Sequence, residues 1–211
     1  MQKNQEGKPK MVDKSLLFLF MLDKKYFSNI RSVSLNYAEK RREIIKISGD
    51  AQQHAKKAIF ALVRDDMKAA DDLLSQSRAQ IAEAAEIIKS DERLSGEGSH
   101  RAALEEFVEA DLVRQALTQK SIGKIANLEL EADQYISGLC DVPGELYRYA
   151  IKSATEKKFD RVTECYEIAE EIITELVDMD LTGYNRQKFD QAKQALHKLE
   201  QVVYEVSLKR L

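Results

Sequence analysis

Two short stretches of the 211-residue chain concentrate carboxylates among residues of core type. The first is Glu105-Glu106-Phe107-Val108-Glu109 and the second Asp141-Val142-Pro143-Gly144-Glu145. Glu106 and Glu109 stand three apart and Asp141 and Glu145 four apart, so on helices each pair projects from one face. Phe107, Val108 and Ala110 flank the first pair; Ile136, Leu139, Val142, Leu146 and Tyr149 flank the second. If the two helices face each other, four carboxylates converge in a half-buried place, and like-charge repulsion pushes protons onto some of them. A divalent cation relieves that repulsion, and an all-oxygen donor set selects Mg²⁺ or Mn²⁺. A second reading stays open at this level, because acidic pairs at helical spacing also line solvated faces and Asp+Glu number 36 here. Pro143, flanked by Gly138 and Gly144, frees the carbonyl of Leu139 and predicts a kink between the second pair.

Other chemistries fit less well. A di-iron carboxylate site needs two Glu-x-x-His pairs. The histidines are His54, His100 and His197, and Glu97-Gly98-Ser99-His100, the one match in spacing, lies in a glycine-rich stretch. The two cysteines, Cys140 and Cys165, form no CxxC and no disulfide framework, which points to reduced thiols and a cytoplasmic protein.

The elements that must position these groups are helices. Gly 8 and Pro 2 are too few for an all-β sandwich or a collagen-like chain, while charged residues at 33% and apolar residues at 44% suit helices. A chain of this length buries roughly 70% of its unfolded surface, enough for a core. Apolar spacing predicts one long helix, or two meeting near Ser48-Gly49-Asp50, from Tyr26 to about Asp66. Further helices are predicted at about 68–89, 99–119, 129–157, 160–179 and 186–209, while Ser121–Leu128 is ambiguous between a short seventh helix and a connection. Asp91–Ser99 and Leu181–Gly183 read as loops. The expected architecture is all-α, an antiparallel bundle of six to seven helices. It divides into an N-terminal tail, 1–25, with a short apolar segment, and a single helical domain, 26–211.

Within that tail, Leu16–Leu22 is an apolar run far shorter than the about 20 residues of a membrane span. Asp23-Lys24-Lys25 follow it with no cleavage site, so it is expected to pack on the body or on a neighbouring subunit and not to enter a membrane. The net charge of -3 excludes binding to nucleic acid by bulk charge, and any such site must be a local patch.

Four segments in order resemble the translin family, which includes translin and translin-associated factor X. They are Ser99-His100-Arg101 with Leu104–Ala110, Asp133–Leu139, Pro143–Arg148, and Leu199–Arg210, and the likeness runs from about Tyr26 to the end. The resemblance implies an all-α fold of about seven helices assembled into hollow octameric shells. It also implies binding of single-stranded RNA and DNA and, for factor-X-like chains, Mg²⁺-dependent endoribonuclease activity. The factor-X-like acidic pattern falls on Glu106, Glu109, Asp141 and Glu145, whereas Val202-Val203-Tyr204 is more translin-like. One chain with both characters is similar to the family's homo-oligomeric prokaryotic members. It departs from the animal pattern at Pro143 and in the extra charge of Glu105.

On that resemblance Glu109 and Asp141 bind Mg²⁺ or Mn²⁺, with Glu145 a third ligand or the holder of a coordinated water. Glu106 handles the attacking water. Phosphate contacts are expected from Arg41, Arg42, Lys46, Lys56, Lys57, Arg101, Arg114 and Arg148, with solvated or paired surface charge as the alternative for each. Two competing expectations are a non-catalytic shell that binds single-stranded nucleic acid and a helical interaction module that binds none.

Overall fold

The computed structural model describes residues 22–118 and 121–209 of the chain. Two compact units are present, Met1–Ala38 and Glu39–Leu211. Most of the apolar Leu16–Leu22 run lies outside the described residues.

Among the described residues there are six α-helices and no strand: α1 Lys24–Val63, α2 Met67–Lys89, α3 Gly98–Thr118, α4 Ala132–Thr155, α5 Phe159–Val177 and α6 Gly183–Leu208. A single 3-10 turn, Glu92–Leu94, joins α2 to α3. In the first unit, the Asp23 carboxylate accepts from the backbone N–H groups of Lys25 and Tyr26, both at 3.0 Å, which satisfies donors at the α1 N-terminus. Tyr26, Phe27, Ile30, Val33 and Leu35 are all exposed, with the Tyr26 and Phe27 rings edge to face at 5.8 Å.

The helix is unbroken through Ser48-Gly49-Asp50, so of the two readings of this stretch the single long helix is the one that forms. Ser48 and Ala51 are buried, and the Ser77 hydroxyl of α2 donates to the Ala51 carbonyl at 2.8 Å. The chain then turns at Asp65, whose φ of 63° lies in the left-handed region, and Asp66 caps α2 by accepting from Ala69 N–H.

The second unit alternates direction as an antiparallel bundle does. Lys40 reaches Ser90 while Ala51 meets Ser77, so α1 and α2 run oppositely. Asn185 meets Asp133 and Lys188 meets Asp141, which sets α6 parallel to α4, with α5 contacting both. Phe107, Leu112, Val142, Leu146, Leu176 and Leu199 are fully buried between these helices. A fully buried side chain of this size stabilises by roughly 1.5–3 kcal/mol.

The region 121–128, ambiguous in sequence, forms no helix. Its backbone groups are taken by side chains from elsewhere: Gly123 N–H donates to Gln115 Oε1 and the Tyr135 hydroxyl donates to the Gly123 carbonyl, both at 2.9 Å. Arg78 donates to the Ala126 carbonyl, and Ile125 is buried. These tertiary partners replace helical hydrogen bonds. Helix α4, in contrast, runs on through Pro143 without interruption.

Candidate functional site

Helices α3 and α4 pack tightly at Gly138. A Cβ there would lie 2.6 Å from Val108 Cγ1 and 2.9 Å from the Glu105 carbonyl oxygen, so no larger residue fits without movement. This contact sets the acidic stretch of α3 against the one on α4. Phe107 and Val108 point into the core, which leaves Glu105, Glu106 and Glu109 half-buried on the flank, and Asp141 and Glu145 are half-buried too.

The electrostatics shows that these groups feel each other. Burial, then the charges of Asp141, Glu106 and Glu145, push the Glu109 carboxyl up to about 9, with Lys188 pulling the other way. Among the described residues its side chain has no hydrogen bond or ion pair. Burial also raises Glu106, against the opposing charge of Lys56 at 3.6 Å and a hydrogen bond from Gln52 at 3.5 Å.

Basic side chains hold the remaining carboxylates. Lys188 of α6, with its side chain only 12% exposed, places Nζ 2.5 Å from Asp141 Oδ2 and 3.5 Å from Glu105 Oε2, and donates to the Ser137 carbonyl at 3.4 Å. Burial alone would lower this ammonium, but the hydrogen bond and charge of Asp141 reverse that and raise it. At Asp141 burial raises the carboxyl and Lys188 draws it back. The two partners thus shift in the same direction. The geometry decides between them: a 2.5 Å contact with a half-buried carboxylate keeps the proton on the amine. Arg148 Nη1 takes both Glu145 oxygens, at 3.0 and 2.7 Å. Glu105 also accepts from the Tyr184 hydroxyl at 3.3 Å and pairs with Arg101 at 3.6 Å, which accounts for the extra charge.

The chemistry of the donor set fits a hard divalent cation: burial, and then the charges of other carboxyls, favour the proton on a half-buried, partnerless carboxyl. The side-chain positions do not yet enclose one, since among the described residues no three His, Cys, Asp or Glu groups come together as a metal-holding set. A thiolate ligand has no part in this, because burial and then Asp141 push the Cys140 thiol up to about 12.

The basic candidates divide. Lys56, Arg101 and Arg148 lie on the carboxylates themselves. Arg41 pairs with Glu97 at 2.7 Å and Arg114 with Asp71 at 2.5 Å, both away from the cluster. Arg42, Lys46 and Lys57 are exposed on α1. Sequence reading missed Lys188 and Tyr184, because nothing in the spacing of α6 singles out one lysine among many. It also missed Phe60, which stacks against Arg148.

An all-helical bundle with facing carboxylates defines the class of protein. The chain belongs to the Translin family, whose model matches residues 39–210. The fold is similar to the crystal structure of apo-NeC3PO, with a TM-score of 0.79 and 20% identity over 88% of this chain and 98% of that chain. It is also similar to AfC3PO, with a TM-score of 0.78 and 20% identity over the same shares. The structure of an AfC3PO–duplex RNA complex superimposes with a TM-score of 0.76 and 20% identity, again over 88% and 98%. No match is found among curated proteins. The family and the all-α fold expected from the four sequence segments are thereby borne out. Among the described residues no helix is long and apolar enough to cross a membrane.

Proposed function

We propose that this protein is a cytoplasmic metal-dependent endoribonuclease that cleaves single-stranded RNA inside a homo-oligomeric shell, an octamer. The observation that carries the reading is the half-buried carboxyl of Glu109, raised by burial and then by the charges of Asp141, Glu106 and Glu145. RNA as the class of partner is supported by the AfC3PO structure, which is a complex with duplex RNA. Single-stranded DNA is a further ligand of the same chemistry.

Glu109, Asp141 and Glu145 would hold Mg²⁺ or Mn²⁺. When bound, such an ion supplies neutralisation of the scissile phosphate and a water of lowered pKa. Glu106 takes a proton from the attacking water; its raised affinity for a proton suits a general base. The water oxygen forms a bond to phosphorus, the bond to the departing ribose oxygen breaks, and solvent returns a proton to that oxygen. Lys56, 3.6 Å from Glu106, and Arg148, on Glu145, are placed to contact flanking phosphates.

A second reading is a non-catalytic shell that binds single-stranded RNA or DNA. It is favoured by one observation: Lys188 and Arg148 already neutralise Asp141 and Glu145. Cleavage of a labelled single-stranded RNA with Mg²⁺, and its loss on chelation, separates the two. Asp141→Asn and Glu106→Gln are expected to abolish cleavage while native mass and melting temperature stay those of a folded oligomer. If wild type binds the RNA without cleaving it, the binding shell replaces the nuclease; cleavage by Asp141→Asn at the wild-type rate removes these carboxylates as its site. A monomeric mass at micromolar concentration removes the shell itself.

A further inference from the structure

Phe60 is an anomaly on α1. Its neighbours Ala58, Ile59 and Leu62 are buried, yet Phe60 itself is 49% exposed. It is not part of the core, and it is not alone on the surface. The Arg148 guanidinium stacks over its ring at 4.9 Å from the centroid, and that guanidinium holds the Glu145 carboxylate at 2.7 Å. One turn earlier, Lys56 lies 3.6 Å from Glu106. The ring is therefore joined to Glu145 through one cation, and a second cation, one turn away on α1, meets Glu106.

The helix face around the ring is basic. Lys56 and Lys57 lie four and three residues before Phe60 on its side of α1, and Arg64 follows just past the helix end; all three are exposed. Lys57, Phe60 and Arg64 line one open groove with Ala61, Asp66 and Ala69. An exposed aromatic ring set in a cationic groove is the arrangement that holds an unpaired nucleobase: the ring takes the base face, and the cations take the phosphates on either side. A duplex hides its base faces in its own stack, so this chemistry selects a single strand.

We infer that Phe60, backed by Arg148, is a stacking subsite for one unpaired base of an RNA strand, positioned so that the neighbouring phosphate reaches Glu106 and Glu145. The inference rests on the nuclease reading for that last placement, but not for the stacking itself.

The test is equilibrium binding of a labelled single-stranded RNA to the full-length protein in chelator, by fluorescence anisotropy. Phe60→Ala is expected to weaken binding about 5- to 100-fold, the range for loss of one stacked base. Phe60→Tyr is expected to bind as wild type, and Phe60→Leu as Phe60→Ala, because a flat ring rather than apolar bulk is required. A 2-aminopurine base at the subsite is expected to be quenched by wild type and not by Phe60→Ala. Wild-type binding by Phe60→Ala or by Phe60→Leu overturns the inference. A changed native mass of Phe60→Ala also overturns it, since the ring then belongs to a protein contact. The reading beneath it fails separately: RNA bound by wild type but not cleaved in Mg²⁺, with Phe60→Ala still defective in binding, removes the nuclease and keeps the subsite.

Discussion

Lys188 on α6 and Asp141 on α4 meet with Nζ 2.5 Å from Oδ2, an ion pair set among the carboxylates of α3 and α4. The same ammonium stands 3.5 Å from Glu105. One lysine thus pairs with acidic groups on two helices and ties α6 to both.

Lys188→Met is expected to lower the stability of the metal-free protein by about 2 kcal/mol, because the half-buried Asp141 loses its counterion. Melting curves in chelator check this. Mn²⁺ is then expected to raise the melting temperature of Lys188→Met more than that of wild type, since no internal cation competes. An equal or smaller rise would show that Lys188 does not oppose the ion.

Glu109 gives a pH dependence with a definite sign. Its folded value of about 9 exceeds the ordinary 4.5, so the folded state keeps a proton that the unfolded chain has released. Stability without metal therefore falls as pH rises through that window, by about 1–3 kcal/mol between about pH 5 and 8. Glu109→Gln, which mimics the protonated form, is expected to flatten this slope and to be the more stable protein at pH 8. Denaturant titrations in chelator at several pH values decide it.

Gly138→Ala tests the helix contact that sets the site. The added methyl meets Val108 side-chain carbons at 2.6 and 2.7 Å and the Glu105 carbonyl at 2.9 Å. The expected loss is about 1–3 kcal/mol. Val108→Ala in the same chain is expected to restore part of it, because backbone at Glu105 still obstructs. Full additivity in the double-mutant cycle would deny the contact.

Asp65 anchors the α1–α2 turn. Burial acts to raise its carboxyl, but hydrogen bonds from Lys152 and Tyr149 outweigh that and bring it from 3.8 to about 2. Its contribution is complete above about pH 4 and is lost as pH falls through about 2. Asp65→Asn tolerates the left-handed backbone and is expected to cost about 1 kcal/mol at pH 7, a figure reduced for partial exposure, and almost nothing at pH 2. Equal losses at both pH values would point to geometry rather than charge.

Much of this was legible in the residues. Helical spacing of Ala51, Ala55, Ala58, Ile59 and Leu62 determined that one face of α1 is buried. The i,i+3 and i,i+4 spacing of Glu106/Glu109 and Asp141/Glu145 put each pair on one face, and those are local consequences of a 3.6-residue turn. Residues 121–128, ambiguous in sequence, form no helix. There Gln115, Tyr135 and Arg78 claim the backbone groups from a distance, and no local pattern records that.

What the sequence by itself determined is therefore everything set within a helix turn: the helices, their apolar faces, the acidic pairs, and the segments that carry the family likeness. Only the tertiary structure decided which cation meets which carboxylate. Lys188 lies 47 residues from Asp141, and Arg148 touches a phenyl ring on α1. The reason is physical. Charge pairing depends on distances of a few ångströms between helices, and those distances are set by packing, here by the absent side chain of Gly138.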